Sequence, residues 1–201
     1  MPQYGLKYIK AAPYQFSNNA VSYGDPVNVG DAITANLEVE RAEGSLYAED
    51  GKAEFVSEVV GGAISLGVKY IINAAQKLLL GVKDDSRSIT YTPTTGGSAT
   101  TTQVAGLKIG AGDLGSYVGV AFYSPDIVDH ENKFFCMFVR KTRFGPPSLS
   151  LQTKNNSIQF QTPTISGQFL KTDNNEGGFY AWALVDDENA ARAWVDASFE
   201  A

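Results

Sequence analysis

The sequence predicts a mainly β protein, a sandwich or partial barrel carrying one flanking helix and a short C-terminal helix. Three observations predict it. Alternating apolar and polar residues recur along the chain with period two, the spacing that puts successive side chains on opposite faces of a strand. Glycine (20), tyrosine (10) and phenylalanine (11) are abundant while charge is modest, a composition suited to pleated, half-buried surfaces. Only two short stretches carry helical signals, so six or more strands face one or two helices.

The elements follow in order. Residues 4–10 alternate and read as a first strand, and the turn-rich residues 13–26 read as an extended arm. Residues 31–42 form the clearest strand, with Ile33, Ala35, Leu37 and Val39 on a core face and Thr34, Asn36, Glu38 and Glu40 on a wet one. A loop is expected over 43–51. A second strand then runs over 52–60, with Lys52, Glu54 and Glu58 opposed to Ala53, Phe55 and Val59. Paired in register, the two make a hairpin with an acidic face. Residues 62–70 read as a third strand. Residues 72–80 read as a helix, with Asn73 as N-cap and Gly81 just past its end.

Residues 86–106 differ in composition. Seven threonines, Gly96-Gly97 and almost no charge suggest a long loop, or a hairpin turning at the glycine pair, that orders against neighbours. Residues 117–124 and 178–185 read as further strands. Asp186-Asp-Glu188 opens a C-terminal helix over 189–197, its carboxylates at the positive end of the helix dipole.

Residues 133–167 are the most informative stretch. Phe134 to Val139 is apolar on both alternating faces, as in a strand covered on both sides or meeting another chain. Residues 140–143 turn basic without a helical period. Gly145-Pro-Pro147 ends the run, because proline cannot donate to a ladder. A short alternating strand over 157–162 is expected to end at Pro163.

The 201 residues fit one domain, spanning 1–201 with extended loops at 43–51 and 86–106. A net charge of −6 argues against a protein that grips nucleic acid by its phosphates, yet suits one past which nucleic acid slides. The single cysteine, Cys136, excludes an internal disulfide and reads as a small buried hydrophobe. Residues 1–13 lack the apolar region of a signal peptide, and no window reaches the length of a membrane span. The expectation is a chain kept in the cytosol until it enters an assembly.

No catalytic set, metal or cofactor is expected. Gly110-Ala-Gly-Asp-Leu-Gly115 matches a dinucleotide fingerprint in spacing only, since a β-like segment follows it instead of a helix. Asp173-Asn-Asn-Glu-Gly177 lacks the later glutamate of a calcium loop, as Leu184 stands there. His130 is the only histidine and lies in a polar turn, with Cys136 inside an apolar run, poor material for a nucleophile pair. Trp182 and Trp194 read as core or interface packing.

Several short motifs fall in a telling order: Tyr4-Gly-Leu6, Leu46-Tyr-Ala-Glu-Asp-Gly51, Lys77-Leu-Leu-Leu-Gly81, Val120-Ala-Phe-Tyr123, Arg140-Lys-Thr-Arg-Phe144 and Gln159-Phe-Gln-Thr-Pro-Thr-Ile-Ser-Gly167. Together they resemble the major tail proteins, or tail tube proteins, of long-tailed bacteriophages of the phi13 type. Residues 86–106 match least well. The resemblance implies a structural, non-enzymatic virion protein. Its hexameric rings stack into a tail tube, with sheets from six subunits closing one barrel around the lumen. It implies a tail location after assembly in the host bacterial cytoplasm, and a tape-measure protein, a tail terminator and baseplate or tip proteins as partners. Double-stranded DNA would pass without specific binding, and no membrane is involved.

On that expectation Glu38, Glu40, Glu54 and Glu58 line the lumen. Leu46, Tyr47, Glu49 and Asp50, together with Thr94, Thr95, Gly96 and Gly97, make contacts between subunits. The rival expectations are a β-sandwich binding module of a virion for carbohydrate or receptor, a tube subunit of a phage-derived bacteriocin or injection system, and a hydrolase using scattered carboxylates.

Overall fold

The structure, a computed structural model, describes residues 5–48, 51–128, 130–148, 162–174 and 177–200. It is mainly β, with a large antiparallel sheet and two short helices. Thirteen strands are described: β1 (Lys7–Ser17), β2 (Ala20–Tyr23), β3 (Val27–Gly30), β4 (Ala32–Ala48), β5 (Gly51–Val68), β6 (Lys83–Asp84), β7 (Arg87–Tyr91), β8 (Thr100–Val104), β9 (Leu107–Lys108), β10 (Val118–Val128), β11 (Glu131–Phe144), β12 (Thr164–Phe169) and β13 (Tyr180–Val185). The helices are α1 (Asn73–Leu80) and α2 (Glu188–Ala197).

The main sheet runs β2-β1-β10-β11-β12-β5-β4, with β3 also on β1 and β13 also on β11. One residue, Asp31, separates β3 on β1 from β4 on β5. The segment from Val27 onward therefore ties one margin of the sheet to the other and rolls it. Inside the roll lie Ile9, Val29, Ile64, Leu66, Val120, Val139, Ile165 and Phe169, joined by Ala75, Leu79 and Leu80 of α1. On the outer surface α2 covers β10 and β11, burying Ala121, Tyr123, Cys136 and Phe138 against Ala191, Val195 and Phe199. That explains the two-sided apolar run at 134–139: one face looks into the roll and the other beneath α2.

Several sequence expectations are corrected. The arm expected over 13–26 is a hairpin, β1 continuing to Ser17 and returning as β2. Its turn is Asn18-Asn19, with φ of 51° and 60°, a conformation asparagine tolerates and one whose twist matches the flanking strands. The first strand begins at Lys7 instead of residue 4, whose structure lies outside the described residues.

The strands expected over 52–60 and 62–70 are one strand, β5. Glu40 pairs with Gly61 and Arg41 with Val59, leaving Val60 as the extra residue of a bulge. A similar shift between Ala32 and Thr34 leaves Ile33 exposed instead of on the core face. The expected loop over 43–51 is strand through Ala48, and Glu49 and Asp50 lie outside the described residues. Its glycines stay in the ladder: Gly44 pairs with Val56 and Gly51 with Ala48.

Helix α1 is capped differently from the expectation. Ile72 is the N-cap and makes no side-chain bond, and Asn73 is the first helical residue. Gly81 does close it in the left-handed conformation, φ 68°, its N–H bonding the Lys77 carbonyl. The strand expected over 157–162 falls outside the described residues up to 161, and β12 begins after Pro163.

α2 starts as anticipated. The Asp187 carboxylate accepts from the N–H groups of Asn189 and Ala190. The helix is fixed to β1 by Lys10–Asp196 (2.6 Å) and Lys7–Glu188 (3.1 Å), and to β10 by the Tyr123 hydroxyl donating to Glu188 (2.7 Å). The Tyr123 bond, then Lys7, holds the Glu188 carboxyl down to about 2. A lowered carboxyl stabilises the fold above its ordinary titration range and loses that stabilisation as pH falls towards 2. Glu188→Gln should therefore be less stable at neutral pH, by less than about 1 kcal/mol because the site is partly solvated. The two proteins should converge near pH 2, as denaturant titrations at several pH values would show.

Candidate assembly surface

An exposed apolar surface lies on the distal half of the β4–β5 hairpin. Strand β12 pairs with β5 only over Gly62–Gly67, and β4 has β5 as its only partner among the described strands. Among the described strands, β4 and β5 pair only with each other from Arg41 outward. Eight residues from Arg41 to Ala48 reach roughly 26 Å at the rise of a strand. Leu46, Tyr47 and Val56 on this arm are 60%, 69% and 57% exposed. An isolated two-stranded ribbon is marginal in water, and a flat, apolar, open edge is a template for another chain.

Register decides how charge is laid out. Ala35 pairs with Leu66 and Leu37 with Ile64, the core face; Glu38 pairs with Ala63 and Glu40 with Gly61 on the opposite face. Farther out, Ala42 pairs with Glu58 and Leu46 with Glu54. Directly paired residues share a face, so Glu38, Glu40, Glu54 and Glu58 all stand on the side turned away from the core, and all four are exposed. The structure thus brings together four carboxylates that the sequence places in two separate strands. They do so because the bulge at Val60 changes the parity of β5 between Glu58 and Ala63.

The second predicted contact region, 86–106, is a separate hairpin of β7 and β8 that pairs with no other described strand. Thr90 and Thr101 share a cross-strand hydroxyl bond of 2.7 Å. Thr94 and Thr95 sit at the tip inside a turn closed by the Gly96 N–H on the Pro93 carbonyl, 3.0 Å. Gly96 and Gly97 have φ of 84° and 139°, conformations that require glycine. Ile89, Tyr91 and Val104 are exposed on this hairpin. The loop expectation is replaced by its hairpin alternative, with Gly96-Gly97 in the connection.

A third exposed feature was not anticipated. Trp182 lies on the open edge strand β13, 63% exposed, stacked on Phe135 at 6.1 Å. It is no core residue, unlike Trp194, which α2 itself packs against the outer cluster. Its alternation with Tyr180 and Leu184 was visible in the sequence, but nothing there shows that the inward side of β13 stays uncovered.

The described residues of the chemical motifs have these structural surroundings. Residues 110–115 form a turn in which Asp113 accepts from the Gly110 N–H, 2.8 Å, and pairs with Lys83, 2.6 Å; strand β10 follows, not a helix. His130 occupies the exposed β10–β11 turn at φ 67°. Burial pushes the Cys136 thiol up to about 11, far from a reactive thiolate. Asp173 bonds Lys141 at 2.7 Å. Among the described residues no three His, Cys, Asp or Glu side chains gather as a metal site, and no helix is long and apolar enough to cross a membrane.

No family model matches this chain, and no curated protein does.

Proposed function

We propose that this chain is the repeating unit of a bacteriophage tail tube, assembling into hexameric rings that stack around a channel for double-stranded DNA. The single observation that carries this reading is the β4–β5 arm, a long ribbon with apolar side chains on it and an open outer edge. Exposed Leu46, Tyr47 and Val56 together are the kind of apolar surface that marks an interaction site. Copies of the same chain arranged in a closed ring would cover it and remove the edge of β4 at once.

The four-carboxylate face supports the same reading. If the ring turns that face inward, the lumen is negative and DNA meets no phosphate–Lys contacts to break as it moves. The ring number, the tape-measure, terminator and baseplate partners and the virion location follow from the resemblance, and stand or fall with the tube.

Negative-stain electron microscopy of the concentrated protein tests it. Hollow tubes or rings of uniform width are the expected result. Compact monomers, even with tape-measure and initiator proteins present, would overturn the reading. Charge supplies a second check. Tubes carrying Glu38→Lys, Glu40→Lys and Glu58→Lys together should retain duplex DNA at low salt and release it as salt rises. Unchanged tubes should not retain it. Indifference of the variant tubes to DNA would remove the lumen assignment.

A further inference from the structure

Between α2, β2 and β13 lies a groove of about 360 Å³, walled by the rings of Tyr23, Phe138 and Trp194, with Asn174, Ser198 and Arg140 among its polar lining. The backbone of Arg140 is clamped: its N–H donates to the Phe179 carbonyl and its carbonyl accepts from the Tyr23 hydroxyl, both 3.0 Å. Its side chain runs over Gly178, where a Cβ would come within 3.1 Å of both Cδ and Nε. A glycine is thus what lets the guanidinium lie in the groove. Its Nε is shut off from solvent and has no hydrogen-bond acceptor.

Several cations on this side of the sheet are matched. Lys7 and Arg192 pair with Glu188, Lys10 with Asp196, Lys133 with Asp186 and Lys141 with Asp173. Arg140 has no carboxylate among the described residues. A guanidinium whose Nε finds no acceptor among the described residues, set beside aromatic rings, suits an anion carried on an apolar surface.

We propose that this groove receives the β4–β5 arm of a second copy, Arg140 pairing with Glu54 while the aromatic walls seat Leu46 and Val56. On the arm, Leu46 lies directly across from Glu54 and Val56 follows on the same face. A carboxylate flanked by two exposed aliphatic side chains is the complement of a guanidinium flanked by aromatic rings. The inference rests on the self-assembly reading, adds the receptor that reading lacks, and moves Glu54 from the channel into the contact, leaving Glu38, Glu40 and Glu58 to line the lumen.

A disulfide trap tests it. Gly44→Cys, directly across from Val56 on the same face of the arm, and Ala197→Cys, both at exposed positions, are made in separate chains; the native Cys136 is buried and inert. On mild oxidation during assembly, only the mixture should give a cross-linked pair. A charge swap supplies the second readout. Arg140→Glu should weaken association roughly tenfold or more, as loss of a buried charge pair does, and Glu54→Arg in the same chain should restore it. Tubes or rings from the unaltered chain, with no cross-link and no rescue, overturn the groove assignment alone. An unaltered chain that never self-associates overturns the assembly reading and this assignment together.

Discussion

Replacing residues 41–60 by a two-residue Asn-Gly turn between Glu40 and Gly61 should leave a folded subunit that no longer assembles. Glu40 and Gly61 are directly paired, and Asn-Gly closes such a pair without disturbing strand twist. No residue of the excised arm belongs to either hydrophobic cluster. The melting midpoint should therefore move by no more than a few degrees, the shift expected of a change near 1 kcal/mol in a chain of this size. Association should fall below detection. Sedimentation and electron microscopy measure the second quantity and a thermal melt the first. Normal tubes from the shortened chain would remove the arm from the assembly mechanism; a collapsed melt would show the arm to be part of the fold.

Phe169→Ala should produce the largest loss of stability of any single change considered, about 3–5 kcal/mol. The Phe169 ring is fully buried in the larger cluster, edge-on to Phe179 at 6.4 Å and Tyr180 at 6.2 Å. It also fits against the bare Cα of Gly62, where a Cβ would collide with the ring and with the Glu38 carbonyl. The cavity left by alanine is lined by strand backbone held in its ladders and has little room to collapse. A midpoint lowered by the order of 10 °C is expected, read by thermal or denaturant unfolding. A loss under about 1 kcal/mol would mean that this end of the roll is packed differently. Gly62→Ala should destabilise through the same contact from the other side.

Part of this was legible along the chain. The alternation of Leu37 and Val39 with Glu38 and Glu40 reports which face of β4 is wet, because strand geometry has a fixed period. The apolar run at 134–139 reports burial on both faces, and Asp187 ahead of an alanine-rich segment reports a helix start. These are local signals, each set by a residue and its near neighbours. The hairpin at Asn18-Asn19 was misread because turn residues mark a reversal but not what the flanking segments pair with. The loop expected over 43–51 likewise gave way, because cross-strand partners keep Gly44 and Gly51 extended.

The candidate site was half legible. Four glutamates in two strands were readable; that they share one face depends on the bulge at Val60, a single unpaired residue with no marker of its own. Trp182 and Arg140 were named in the sequence without their surroundings. One stands on an uncovered strand and the other in a groove formed by three elements distant in sequence.

Composition and periodicity alone establish a β-rich, acidic chain with few helices and one cysteine, because those properties are sums over residues or repeats along one strand. The roll of the sheet, the free length of the arm, the common face of the carboxylates and the groove beneath α2 depend on which strands pair and in what register. Pairing joins residues far apart in the chain, and the free energy that selects it comes from burial summed over the assembled molecule, so no local stretch encodes it.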